Sequence, residues 1–157
     1  MKKIIKICLL SLIIFLTGCE TNTVTKEKEI YLNYVKEIQK IEKSSKEELP
    51  FDIEVKFDKL TDEEVRFQVI IDNPKKTLNN ITAVAIHDKP TVDIFPSTGI
   101  FEEKQSLIPN KKPSGIILVG YIPYEDKLKT FECDIKVLIK YSEDNKTHTV
   151  YYVTKKD

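Results

Sequence analysis

Residues 131–141 read FECDIKVLIKY, and their regular alternation decides the fold class. The odd-numbered side chains are apolar or thiol groups, whereas the even-numbered ones are mostly charged, with Leu138 as the one apolar member of that row. A period of two is typical of a β-strand that has one face on a core and one face in water. We therefore expect Val137 to be a core residue and Lys136 to be exposed.

The same period continues on both sides of this strand. Residues 142–145 read as a turn, and residues 147–153 return as the second arm of a hairpin with a loop of about five residues. Further strands are predicted at 51–57, 65–71, 81–87, 92–95, 105–108 and 115–121. The segment 115–121 is apolar on both faces, which predicts a central strand covered on both sides.

About seven or eight short strands with turns between them are typical of a mainly β domain. We assign residues 50–157 to an antiparallel, immunoglobulin-like β-sandwich. The chain has no Trp, and Cys133 has no second cysteine within this domain, so the domain is not of the antibody type. A small open barrel is the alternative fold.

One amphipathic helix is predicted over 27–49, before the strands. Its apolar side chains recur at three- and four-residue steps and include Ile30, Tyr34 and Ile38. The stripe either packs on the following domain or frays in solution, and the pattern does not decide between these. A parallel coiled-coil dimer is a further alternative, although the apolar stripe covers less than two heptads. The mixture of Glu and Lys on the polar face disfavours a helix that lies on a membrane.

The first residues have the pattern of a bacterial signal peptide, which we assign to 1–18. A basic segment, 1–6, precedes an apolar segment, 7–16, that is too short to span a hydrocarbon layer of roughly 30 Å. Leu16-Thr17-Gly18-Cys19 follows and resembles the lipobox of bacterial lipoproteins. The alternative is an ordinary signal peptide in which Cys19 has no role.

The lipobox resemblance implies cleavage between Gly18 and Cys19 and attachment of diacylglycerol to the Cys19 thiol. Acyl chains such as palmitate would then hold the protein on the extracytoplasmic face of the cell membrane, because two chains anchor a protein stably. Residues 19–26 are polar and are predicted to be a flexible tether. The mature chain keeps 22 of the 25 basic residues against 25 acidic ones, which disfavours nucleic acid as a partner.

The residue pattern predicts no catalytic group, cofactor or metal site. His87 and His148 lack partners at metal-ligand spacing and are predicted to lie on the surface. Cys133 alternates inward and is predicted to be a buried, inert thiol. Tyrosine is enriched at protein contacts, which makes four tyrosines candidate interaction residues: Tyr121, Tyr124, Tyr151 and Tyr152. The alternative is that these side chains line the core or a sheet face.

Three short stretches, at 69–74, 78–82 and 108–113, resemble small extracytoplasmic sandwich modules of the FxLYD-like and LEA14-like families. The first contains Asn73-Pro74 at the end of a strand, and the last precedes a long hydrophobic strand. The resemblance implies a module that binds or presents rather than catalyses. We therefore expect a non-enzymatic surface lipoprotein that recognises a protein or envelope component. A small-ligand or ion-binding accessory lipoprotein is the alternative.

We predict that Cys19→Ser abolishes lipidation, because it removes the thiol that would carry the diacylglycerol. Cells fed a labelled fatty acid should label the wild-type protein and the control variant Cys133→Ser equally. Labelling of the Cys19→Ser protein at the wild-type level would show that Cys19 is not the acceptor.

Overall fold

A computed structural model of the protein describes residues 20–112, 115–123 and 131–154. In these ranges the chain forms one helix and eight strands: α1 (Glu20–Gln39), β1 (Asp52–Lys59), β2 (Glu64–Asp72), β3 (Leu78–His87), β4 (Ser97–Thr98), β5 (Gln105–Leu107), β6 (Ile116–Pro123), β7 (Ile135–Glu143) and β8 (Lys146–Val153). The described chain is therefore mainly β, as predicted.

The strands form two antiparallel sheets. The first has the order β1-β2-β6, and the second has the order β4-β3-β7-β8, with β5 also paired to β3. Their facing side chains share one core, to which β2 contributes Phe67 and Val69 and β7 contributes Val137 and Ile139. This core is the main apolar burial that holds the two sheets together.

The hairpin of β7 and β8 confirms the predicted core position of Val137, which has no exposed surface. The strand begins at Ile135 rather than at residue 131. The predicted five-residue loop is wrong, because only Asp144 and Asn145 connect the two strands. Their φ angles are 47° and 61°. Asp and Asn tolerate this left-handed backbone, which is the conformation that a tight two-residue hairpin turn requires.

The helix differs from its predicted bounds. It already begins at Glu20, so residues 20–26 are helical rather than a flexible tether, and it ends at Gln39 rather than at residue 49. Beyond the helix, Ser44 and Ser45 bond to β8: Ser45 N donates to the Tyr151 carbonyl at 2.8 Å, and the Ser44 hydroxyl accepts from Val153 N at 3.0 Å. No helix in the described ranges is long and apolar enough to cross a membrane.

The helix packs on the outer face of the five-stranded sheet. Tyr31 and Ile38 are buried there against Val84, Ile86 and Leu138. The expectation that the even-numbered face of the 131–141 strand is wet is therefore wrong at Leu138, which the helix buries completely. Lys136 remains at the margin, where its ammonium donates to the Gln39 carbonyl at 3.2 Å.

The strand covered on both faces is β3, not the predicted segment 115–121. Every residue from Ile81 to His87 is buried, because the main core lies on one face of β3 and the helix on the other. In contrast, β6 lies at the end of its sheet and alternates between buried and exposed side chains. Its apolar outer face has no covering layer among the described residues.

The connection from β3 to β4 also differs from prediction. Residues 92–95 form no strand, whereas Ser97 and Thr98, which follow the predicted strand, pair with Val84 and Ala83 as β4. Prolines at positions 90 and 96 bracket the segment and cannot donate to a strand ladder, which favours irregular backbone between them. The short edge strand predicted at 105–108 is confirmed as β5.

We predict that Ile38→Ala lowers the free energy of unfolding by about 3 kcal/mol, because it leaves a cavity between helix and sheet. The matched control is Leu32→Ala on the same helix, where the leucine is 43% exposed and the expected loss is below about 0.5 kcal/mol. Urea melts would measure both. Equal midpoints would show that the helix does not contribute its buried face to the fold.

Candidate functional site

A cleft opens at one side of the two sheets, between β6 and the segment that follows β3. We call it the lateral cleft; its volume is about 200 Å³. It is lined by Phe67, His87, Asp93, Ile94, Phe95, Pro96, Val119, Gly120 and Tyr121. Most of these groups are apolar, so the cleft is suited to an apolar side chain or ligand rather than to an ion.

Gly120 shapes the floor of the cleft. It lies opposite Phe67 in the pairing of β6 with β2. A Cβ atom at Gly120 would overlap the Phe67 ring and would lie 3.1 Å from Cδ of Pro96. Any larger residue would therefore push the Phe67 ring or the β3–β4 connection out of place, and the present shape of the cleft depends on glycine here.

His87 lies beneath the cleft and is buried, so its predicted surface location is wrong. Its ring centroid lies 5.9 Å from that of Phe67 and 5.1 Å from that of Phe95, and both pairs meet edge to face. Its Nδ1 accepts a hydrogen bond from Lys89 N at 3.2 Å. Neither Phe67 nor Phe95 is an immediate sequence neighbour of His87, so the residues around His87 in the sequence did not indicate this apolar enclosure.

Burial lowers the pKa of His87, and this effect outweighs the opposing hydrogen bonds with the backbone of Lys89 and Tyr121 and the charges of Asp88 and Asp93. The imidazole is therefore neutral at neutral pH. A neutral ring between two phenylalanines belongs to the apolar wall of the cleft rather than acting as a charged contact.

Exposed apolar side chains from two elements line the cleft, as Ile94, Val119 and Tyr121 do, or lie within two residues of its lining in the sequence. On the β3–β4 connection Val92 is fully exposed and Ile94 is 78% exposed. On the outer face of β6 the exposed fractions are 58% for Ile117, 38% for Val119 and 47% for Tyr121. Exposed apolar groups that lie together are typical of contact surfaces. The segment 92–94 was not among the predicted site residues.

Three of the four candidate tyrosines are among the described residues, and of these three only Tyr121 lines the cleft. Tyr151 lies under the helix, where its hydroxyl donates to Glu37 Oε1 at 2.6 Å; this hydrogen bond raises the pKa of Tyr151 to about 12. Tyr152 packs against the main core. Tyr124 lies outside the described residues, as do the lipidation residue Cys19 and the recognition residues Leu16, Thr17 and Gly18.

Neither Cys133 nor His148 lines the cleft. Cys133 is partly buried, and burial raises the pKa of its thiol to about 12. A thiol with this pKa stays protonated at neutral pH and is a poor nucleophile. His148 stacks on Tyr141 with ring centroids 5.1 Å apart, and its Nε2 lies 3.9 Å from Glu143. No group of three or more potential metal ligands occurs within the described ranges.

A second, more open cleft of about 550 Å³ lies near the β7–β8 turn. Its lining is polar and consists of Asn79, Asn80, Ser106, Ser142, Asp144 and Asn145. Three of these residues have left-handed backbone: Asp144 and Asn145 form the β7–β8 turn, and Asn80 lies where the register of β3 shifts. Asp144 is the one carboxylate among the described lining residues, which is fewer than a Ca²⁺ site typically uses.

Comparisons of the chain with protein-family models, with curated proteins and with solved structures found no match.

We predict that His87 makes the stability of the protein depend on pH. Because its pKa is lowered from 6.5 in the folded state, the unfolded chain takes up the proton first as the pH falls. The stability that the neutral His87 ring contributes to the folded protein is thus fully present above about pH 6.5. It is lost as the pH falls through the folded-state pKa.

Urea melts between about pH 5 and about pH 7.5 should show a smaller pH dependence for His87→Gln than for the wild type. The control is Leu32→Ala, which changes no ionisable group and should retain the wild-type dependence. Parallel stability curves for wild type and His87→Gln would contradict the assignment of the dependence to His87.

Proposed function

We propose that the chain is a non-enzymatic lipoprotein, anchored through Cys19 on the extracytoplasmic face of the cell membrane, whose folded domain recognises a protein or envelope component at the lateral cleft. The signal-peptide pattern and the lipobox Leu16-Thr17-Gly18-Cys19 support the anchorage. The apolar rim of the cleft supports the recognition.

The exposure of this rim is the observation that carries the proposal. Apolar side chains in contact with water gain free energy when a partner covers them, at about 25 cal/mol per Å². The outer face of β6 adds Tyr121, whose ring can pack while its hydroxyl stays hydrated. The core of a typical recognition surface combines aromatic and aliphatic groups with few charges.

The proposal includes an immunoglobulin-like sandwich, which the strand order supports. Immunoglobulin domains place strands A, B and E in one sheet and strands C, F and G in the other, with an additional strand C′ beside C in the variable type. The orders β1-β2-β6 and β4-β3-β7-β8 correspond to A-B-E and C′-C-F-G. The resemblance to FxLYD-like and LEA14-like modules is in keeping with this order.

The alternative, a small-ligand or ion-binding accessory lipoprotein, would use the polar cleft near the β7–β8 turn. We favour the lateral cleft, because its floor is enclosed by aromatic rings and its rim is apolar. The polar cleft is wide, and its described lining carries one carboxylate and no aromatic ring.

The recognition proposal predicts position-specific crosslinking in intact cells. A photoreactive amino acid at position 119 should crosslink the lipidated protein to a discrete partner, and Tyr121→Ala should reduce the yield about fivefold or more, as expected for an interface residue worth about 1 kcal/mol or more.

The matched control uses position 60 in the β1–β2 turn, where Leu60 is 43% exposed and therefore as accessible as Val119. Crosslinks at position 60 should be absent, and Leu60→Ala should leave the yield at position 119 unchanged. Equal crosslinking from positions 60 and 119 would contradict recognition at the cleft.

A further inference from the structure

The strand β6 lies at the edge of its sheet. All eight of its residues pair with β2, from Ile116 opposite Ile71 to Pro123 opposite Glu64. No strand among the described residues pairs with its other edge. A strand edge offers backbone donors and acceptors to any extended chain that can align beside it.

The other sheet edges are protected in ways that proteins commonly use. The strand β1 carries five charged residues among eight, β4 is two residues long, and the edge of β8 is bonded by Ser44 and Ser45. The sequence of β6, IILVGYIP, contains no charge. Among the long strand edges in the described ranges, β6 is thus the one left open to pairing.

The lateral cleft opens beside this edge. Its walls include Val119, Gly120 and Tyr121 of β6 on one side and residues 93–96 on the other. A strand laid along β6 would direct alternate side chains inward, between the sheets. One bulky apolar side chain of such a strand would enter the cleft and contact Phe67 and Phe95.

Strand order also favours an added strand here. In an immunoglobulin-like domain with four strands in the first sheet, strand D lies beside strand E. With β6 in the place of strand E, the position of strand D is the open edge of β6. This step rests on the immunoglobulin-like fold and the recognition site that we propose above.

The charge at the cleft selects the occupant. Asp93 supplies the one carboxylate among the described lining residues, and it is exposed at the rim, whereas His87 is a neutral part of the wall. A bound strand with a basic side chain near its apolar anchor would place a cation beside Asp93. A second copy of β6 could not do this, because β6 contains no basic residue.

We infer that the open edge of β6 binds an extended peptide segment of a partner protein as an added strand, with a bulky apolar side chain in the lateral cleft and a basic side chain beside Asp93. Backbone pairing would supply affinity, and the cleft and Asp93 would supply specificity, as in other complexes formed by strand addition.

The test uses the mature lipidated protein in lipid nanodiscs and the fluorescently labelled peptide acetyl-Thr-Val-Thr-Phe-Thr-Lys-Thr-amide. Phe and Lys are two residues apart and share a face of the extended peptide. Fluorescence anisotropy should report saturable binding to loaded nanodiscs and none to empty ones. Absence of binding would overturn the inference.

Backbone methylation distinguishes strand addition from simple apolar adhesion. Alternate N–H groups of an extended peptide point to opposite edges. One peptide is N-methylated at its even-numbered amides and a second at its odd-numbered amides. One of the two should bind at least tenfold more weakly than the parent peptide, and the other should bind nearly as well as the parent. Equal affinity of the two methylated peptides would overturn the inference.

A charge swap tests the role of Asp93. Asp93→Lys should weaken binding of the Lys peptide about threefold to tenfold and should improve binding of a peptide with Glu in place of Lys. The control Asp62→Lys changes an exposed aspartate in the β1–β2 turn and should alter neither affinity. Equal effects of Asp93→Lys and Asp62→Lys would overturn the predicted basic contact.

Hydrogen exchange of the protein without peptide tests the other possible occupants. Amides on the open edge of β6 should exchange rapidly alone and slowly with the peptide. Protection without peptide would mean that a second copy or another segment of this chain covers the edge, and it would overturn the inference. The two proposals can fail separately. If Tyr121→Ala abolishes crosslinking from position 119 but the peptide does not bind the wild-type protein, the cleft is still a recognition surface, and only the inference of strand addition is wrong.

Discussion

Burial of β3 on both faces is the constraint on which the rest of the structure depends. Its inner face, with Ile81, Ala83 and Ala85, lies in the main core, and its outer face lies under the helix. Neither side of β3 tolerates an unpaired charge, because an isolated ion inside an apolar layer costs several kcal/mol. The polar groups at the helix interface are accordingly paired: Glu37 contacts both Tyr151 and Lys140, with Glu37 Oε2 and Lys140 Nζ 3.0 Å apart. The helix is thus a third layer of the fold and not an appendage.

The single helix makes the molecule asymmetric. It covers the five-stranded sheet, so apolar residues on the outer faces of β3 and β7 become core. The three-stranded sheet has no such layer in the described ranges, and the apolar outer side chains of β6 remain in contact with water. The strands β3 and β6 are both rich in apolar residues and both contribute an inner face to the main core, but the outer face of β3 is buried and that of β6 is exposed. The difference arises from which sheet the helix packs on, and the exposed surface of β6 follows from it.

This asymmetry also explains how far the sequence could be interpreted. The alternation in residues 131–141 correctly predicted the inward row containing Val137, because a period of two depends only on local backbone geometry. It could not show that Leu138 is buried, since the covering residue, Ile38, lies far away along the chain. The predicted helix was also too long at its C-terminal end, where Ser44 and Ser45 bond to β8, and such distant partners are not visible in a local helical pattern. The burial of His87 likewise comes from Phe67 and Phe95. Of the candidate site, the sequence pattern indicated Tyr121 alone.

The open edge of β6 is the feature that stability alone does not explain. About a third of the residues of this chain are charged, 32% in all, and the strand β1 of the same sheet carries charges along its length. One outward-facing lysine on β6 would hinder edge pairing at little cost to the fold, because Ile117, Val119 and Tyr121 already face water. The core therefore does not demand apolar residues at these three positions. A strand that remains apolar on its solvent face, beside a cleft whose floor depends on glycine, is better suited to pairing with another chain than to remaining in water. The same edge is a liability for aggregation, and the nearby carboxylate of Asp93 limits the chains that can exploit it.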